Sequence, residues 1–219
     1  INNLAASHMQ QKIKVNGKIS ENPMDKLNAN FNNFSIASLN PFTERNGFTL
    51  KGLVSGNATL SSVYGKPTFG SNLNFKSLTV NKENLGDGNI VAKWDTKKDG
   101  IKVDGTFHRG PIPTIGFNGY YYAKREDKNF DFDISLEKTQ LRIFDPYVNN
   151  LVSDLNGVAS GDLRLDGTTS QPILTGDLKL QKVNFLVDYL NTSYSFTDNV
   201  RIEENAFIFE DITLNDYVS

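Results

Sequence analysis

Apolar and polar residues alternate along most of this chain. Ile13-Lys14-Val15, Phe34-Ser35-Ile36, Phe48-Thr49-Leu50 and Ile101-Lys102-Val103 set apolar side chains two apart. Ile90 to Trp94 does the same, and Phe130-Asp131-Phe132-Asp133-Ile134-Ser135-Leu136 sustains the pattern longest. A period of two turns the apolar members of each run to one face of a strand and leaves mostly Lys, Asp, Ser and Thr on the other. Turn-forming pairs punctuate the runs: Asn16-Gly17, Asn46-Gly47, Asp87-Gly88, Asp99-Gly100, Asp104-Gly105, Asn156-Gly157 and Asp166-Gly167. Such pairs tolerate the positive φ of tight hairpins, although Asp104-Gly105 and Asn156-Gly157 could instead sit within strands. The spacing predicts an all-β antiparallel body. Two short stretches read as helical, Pro23 to Leu27 and Pro146 to Leu155, the second with Asp145 as cap and Pro146 at the first helical position.

The chain also resembles itself at an offset of 105 residues. Asn40-Pro41-Phe42 aligns with Asp145-Pro146-Tyr147, and Gly52-Leu53-Val54-Ser55-Gly56 with Gly157-Val158-Ala159-Ser160-Gly161. Leu60 then meets Leu165, Pro67 meets Pro172 and Leu73 meets Leu178, with no gap. Eight of the 43 positions from Ile36 to Leu78 are identical in the two copies. A unit of this size cannot bury its own apolar face, so stacking of units is the expected use of a repeat. The expectation is one elongated β body over 1–219 with repeat units at approximately 31–85 and 136–190. The start at Ile1 and the absence of a signal peptide read as a piece of a longer protein.

Composition narrows the chemistry. Among 219 residues there is no Cys, which removes disulfides, thiolate nucleophiles and cysteine metal sites. Two His in unrelated contexts, His8 and His108, are too few for a His-based metal centre. A net charge of −2 argues against a nucleic-acid partner, which calls for a basic stripe. Carboxylates are many but scattered, Asp162 to Gly167 lacks the spacing of a calcium loop, and no phosphate loop or nucleophile elbow occurs. Lys124-Arg125-Glu126-Asp127-Lys128 reads as a solvated hairpin tip. No catalytic residue, cofactor or metal is expected, and the chain does not read as an enzyme.

What remains is the alternating face itself. Closed onto a second face it is the core of a β-sandwich. Left part-way open it is an apolar groove, which costs solubility unless something apolar fills it. A fragment of an outer-membrane barrel would also alternate, but regular aromatic girdles are absent and the turns come too close together.

The second copy carries a resemblance. Asn156-Gly157-Val158-Ala159-Ser160-Gly161-Asp162-Leu163-Arg164-Leu165-Asp166-Gly167-Thr168 is followed by Gln171-Pro172-Ile173-Leu174-Thr175-Gly176-Asp177-Leu178-Lys179-Leu180 and by the alternating Ile208 to Asp216. Leu151 to Asp216 resembles the TamB family of the AsmA-like superfamily, the translocation and assembly module proteins of bacteria with two membranes. The first copy keeps Gly52, Gly56, Leu60, Pro67 and Leu73 but has Ser62 where the second has Gly167, so the resemblance stops short of that turn. The resemblance implies a long periplasmic sheet bent like a taco around an apolar face, in a protein anchored in the inner membrane. It further implies a role in phospholipid transfer to the outer membrane or in protein assembly there, with acyl chains in the groove. A TamA-type barrel is the implied partner, through regions not recognised in this chain. Positions in phase across both copies are then expected to point into the groove: Leu50, Val54, Leu60, Leu73 and Phe75, matched by Leu155, Ala159, Leu165, Leu178 and Leu180. The alternative is a structural or adhesive β-repeat whose face is a closed core.

Overall fold

The alternating runs become strands of one antiparallel sheet in this computed structural model, which describes residues 4–8, 11–22, 24–62, 64, 67–144, 152–204, 206–209 and 212–217. The strands are β1 (Leu4–His8), β2 (Gln11–Gly17), β3 (Lys26–Ser35), β4 (Leu50–Ser61), β5 (Thr68–Val80), β6 (Glu83–Asp95) and β7 (Gly100–Arg109). They continue as β8 (Ile112–Tyr121), β9 (Phe130–Gln140), β10 (Ser153–Gly167), β11 (Pro172–Val187), β12 (Thr192–Glu203), β13 (Ala206–Phe209) and β14 (Asn215–Tyr217). From β1 to β13 each strand pairs with its neighbours in sequence, while β14 joins β12 beside β13. Among the described residues β1 and β13 do not pair, so the sheet stays open rather than closing into a barrel. At ~4.8 Å per strand it extends about 60 Å across its strands.

Because the order is a simple meander, the connections fall alternately on two rims. Of the described residues, the first rim holds 36–49, 81–82, 110–111, 141–144, 152 and 188–191; the second holds 18–22, 24–25, 62, 64, 67, 96–99, 122–129 and 168–171. Two first-rim connections carry short helical turns, Ile36–Leu39 through Glu44–Asn46 in one and Leu141–Phe144 in the other.

The irregularities of the sheet recur 105 residues apart. Pairing of β3 with β4 slips between Phe31 and Phe34, and that of β9 with β10 slips between Leu136 and Thr139. In each slip the extra residue has positive φ, Asn33 at 46° and Lys138 at 46°, and donates its backbone N–H to a serine on the next strand, Ser55 or Ser160, at 2.9 Å. The β4–β5 slip between Lys51 and Leu53 recurs between Asn156 and Val158, with Ser77 and Lys182 both at φ 52°. Ser62 adopts φ 54° at the position matching Gly167, at φ 82°, so a left-handed residue occupies that place in both copies although only one is glycine. Each bulge adds a residue on one strand and sharpens the local twist and bend. Repeated bulges are how a sheet of this length curls.

Three sequence expectations fail. Leu27 is in β3 rather than a helix, and 153–155 begin β10, while 146–151 of the expected second helix lie outside the described residues. Proline and capping signals there compete with ladder pairing, of Leu27 with Gly17 and Leu60 and of Ser153 with Leu186, and tertiary pairing outweighs a weak local propensity. Asp87-Gly88 likewise is not a turn. Gly88 lies mid-strand in β6, opposite Phe107, where a Cβ would come within 2.2 Å of the Phe107 ring. The tight turn is at Asn81-Lys82, both with positive φ.

Candidate apolar trough

Register alone puts a continuous apolar face on one side of the sheet. Rows of partners cross it from strand to strand: Leu27 with Leu60 and Phe69; Ile90 with Leu73 and Gly105; then Phe117, Ile134 and Leu163. Asn72, Asn74, Lys102, Asp104, Asn118, Asp133, Arg164 and Asp177 alternate onto the opposite side. A flat single sheet has no second layer, yet Ala159 is 0% exposed and Val183 2%. The sheet therefore bends over its own apolar face, making a trough with a polar exterior.

Burial varies across the trough. Toward the first rim the inward side chains are closed over: Leu78, Leu85, Phe107, Leu136, Val183 and Phe196 are all buried. The helical turns contribute to this. Ile36 and Ile143 join Leu78, Leu85 and Phe107 in one cluster. The Asn81 side-chain amide donates to the Ile143 carbonyl at 3.4 Å, and Arg142 pairs with Glu83 at 3.8 Å. Since Ile143 follows β9 while Asn81 and Glu83 bound the β5–β6 hairpin, these contacts bridge four strands. Buried threonines stitch the same side: Thr139 donates to the Thr114 carbonyl at 2.6 Å and Thr114 to that of Leu85 at 2.8 Å. Toward the second rim Leu60, Phe69, Trp94, Ile101, Tyr121, Phe132, Leu165 and Leu174 are only half-buried. A strip of apolar surface lies open there.

The ten positions singled out from the repeat all fall on the inward face, in two environments. Leu50, Leu60, Leu73, Phe75, Leu155 and Leu165 are half-buried, whereas Val54, Ala159, Leu178 and Leu180 are buried. Ala159, Leu178 and Leu180 belong to a cluster with Leu136, Leu163, Val183, Phe196 and Val200. The second copy is thus closed more tightly than the first.

On the exterior, Arg164 pairs with Asp131, Asp133 and Asp166, and Lys128 with Asp131 and Asp166. Partial burial pushes the Asp166 carboxyl up, but hydrogen bonds from Lys128 and Arg164 and their charges outweigh it and leave the group below its ordinary 3.8. An exterior depression of about 530 Å³ lies between Asp104, Asn118, Asp133 and Asp162 around the bare Gly116. Among the described residues no group of His, Cys, Asp and Glu is arranged to hold a metal ion, and no helix is long and apolar enough to cross a membrane.

Comparison with family models finds residues 113–212 matching the TamB C-terminal domain. The match takes in 100 of the 219 residues, a little under half of the chain, and over that stretch the chain is similar to the TamB family. The matched stretch runs from β8 to just past β13, so it takes in the tightly closed half of the trough and begins well before the Leu151 at which the sequence resemblance starts. Neither the curated proteins nor the solved structures contain a match to this chain.

The second-rim features escape sequence reasoning. Asn129 is buried, donates to the carbonyls of Tyr122 at 2.9 Å and Arg125 at 2.7 Å, and accepts from the Thr169 backbone at 3.0 Å. It thereby shapes the 122–129 loop. That loop sets the Lys124 ammonium 5.8 Å from the Trp94 ring centroid and the Arg125 guanidinium 3.5 Å from that of Tyr122. The mixed-charge tip is exposed, as expected, but two of its cations rest on aromatic rings.

Proposed function

We propose that this chain is a segment of a periplasmic bridge whose trough carries phospholipid acyl chains, in support of lipid transfer to, or protein assembly in, the outer membrane. The full-length protein is anchored in the inner membrane and works with a TamA-type barrel. One observation carries the reading: the inward apolar face continues across at least ten strands, and along the second rim it is left half-exposed. Burying apolar surface is worth ~25 cal/mol per Å², so an acyl chain laid along that strip replaces water at a gain that grows with its length. No chemistry is asked of the protein. Its polar exterior keeps the body in solution while the interior offers a continuous nonpolar path.

A second reading, a structural or adhesive β-repeat with no lipid role, draws on the closed cluster around Ala159 and Val183. Native mass spectrometry of protein purified without detergent discriminates the two. Lipid masses retained on the folded chain support the bridge; a bare chain under conditions that preserve other lipid carriers supports the structural body.

A further inference from the structure

The open strip ends, at the second rim, in a row of large side chains: Trp94, Ile101, Tyr121 and Phe130 stand side by side on β6, β7, β8 and β9 and face inward. Tyr121 and Phe130 touch at 5.8 Å between ring centroids. Several cations lie near this row, and most are already engaged outside the trough. Lys98 sits 4.0 Å over Tyr120, whose hydroxyl donates to Asp95; Arg125 stacks on Tyr122; Lys128 pairs with Asp131 and Asp166. Lys124 is different. Its ammonium is held over the inward-facing Trp94 by the loop that Asn129 shapes, and no carboxylate pairs with it among the described residues. Glu126 and Asp127 in the same loop are exposed to solvent.

From this placement we infer that the second rim at β6–β9 is the seat of an anionic amphiphile, its acyl chain on the open strip and its phosphate head group against Lys124. The inference rests on the lipid-bridge reading and adds a location, an orientation and a preference for head-group charge. Two physical features select such a ligand. Aromatic side chains with one apolar and one wet edge suit the boundary between hydrocarbon and water. A lone cation over an aromatic face meets a head-group anion without displacing an existing ion pair. At the opposite ends of β5 to β7, by contrast, Leu78, Leu85 and Phe107 are buried together with Ile36 and Ile143.

Trp94 is the only tryptophan of the chain, so its fluorescence reports on this site alone. The intact protein is titrated below the critical micelle concentration with a single-chain lysophosphatidylglycerol and, separately, with lysophosphatidylcholine. The expected result is a saturable blue shift with both and tighter binding of the anionic lipid, by about twofold to fivefold for one exposed charge pair. That margin shrinks as salt rises. Lys124→Glu, at an exposed loop position outside the core, abolishes or reverses the preference while leaving the zwitterionic lipid bound. Equal affinities in the wild type, or a preference that survives Lys124→Glu, overturns the inference. So does the same shift with inorganic phosphate alone, which marks a site for free anions. Lipid retained in native mass spectra with Trp94 silent removes this seat and spares the bridge; a silent Trp94 and no retained lipid removes both.

Discussion

Leu73 and Leu178 occupy the same place in the two repeats, yet a charge at each is expected to have very different consequences. Both face inward, and both sit opposite a glycine of the preceding strand, Gly56 or Gly161. Leu178 is 5% exposed and packed with Ala159, Leu163, Leu180 and Val200, whereas Leu73 is half-buried beside the open strip. Leu178→Asp forfeits ~1.5–3 kcal/mol of apolar burial and places a carboxyl without a hydrogen-bond partner in the cluster, at a further ~2–7 kcal/mol. A total of roughly 4–10 kcal/mol is comparable with the whole stability of a typical domain, ~5–15 kcal/mol. Leu73→Asp loses about half the burial term, and its carboxylate reaches water, so its cost is about 0.8–1.5 kcal/mol. Urea titrations followed by Trp94 fluorescence and far-UV circular dichroism compare the two variants with the parent chain. Leu178→Asp is expected to be unfolded or nearly so without urea, and Leu73→Asp to shift the midpoint modestly. Similar shifts for both would refute the asymmetric closure of the trough.

Other consequences follow from single contacts. Gly105→Ala sets a Cβ about where the Phe117 ring now lies, 2.2 Å from its Cζ; a loss of about 1–3 kcal/mol is expected from overpacking, and Phe117→Leu in the same chain should recover most of it. Thr114→Val removes the donor to the Leu85 and Phe107 carbonyls and is expected to cost about 1–3 kcal/mol in denaturant unfolding, an unchanged midpoint counting against the threonine stitch. Asp166 has a folded-state pKa below its unfolded value, so its contribution is full above about pH 4 and is lost as pH falls through the lowered pKa. Asp166→Asn should therefore be less stable than the parent at neutral pH and lose less on acidification; parallel pH profiles would contradict the Lys128–Asp166–Arg164 network.

The period of two makes the strands and their inward face legible, because register follows side-chain alternation once one face is apolar. Offsets of 105 make the repeat legible down to particular bulges, since Gly52 and Gly56 or Gly157 and Gly161 mark backbone that side chains resist. Curvature is not legible. Alternation reads the same whether a strand lies in a flat sheet or a bent one, so nothing in Leu73 or Leu178 announces that one is open and the other closed. Gly88 misleads for a related reason: a glycine that makes room for a neighbouring Phe107 looks in sequence like a glycine that makes a turn. The Lys124–Trp94 contact joins residues thirty positions apart across three strands, and only register brings them together.

The central claim is that acyl chains occupy the open inward strip. Site-specific photocrosslinking in the bacterial envelope tests it most directly, with a photoreactive side chain placed inward at Leu73 or Leu165 and outward at Asn74 or Arg164. The account predicts lipid adducts, identified by mass spectrometry, at the two inward positions and none at the outward pair. Adducts at neither pair, or equally at both, would contradict it.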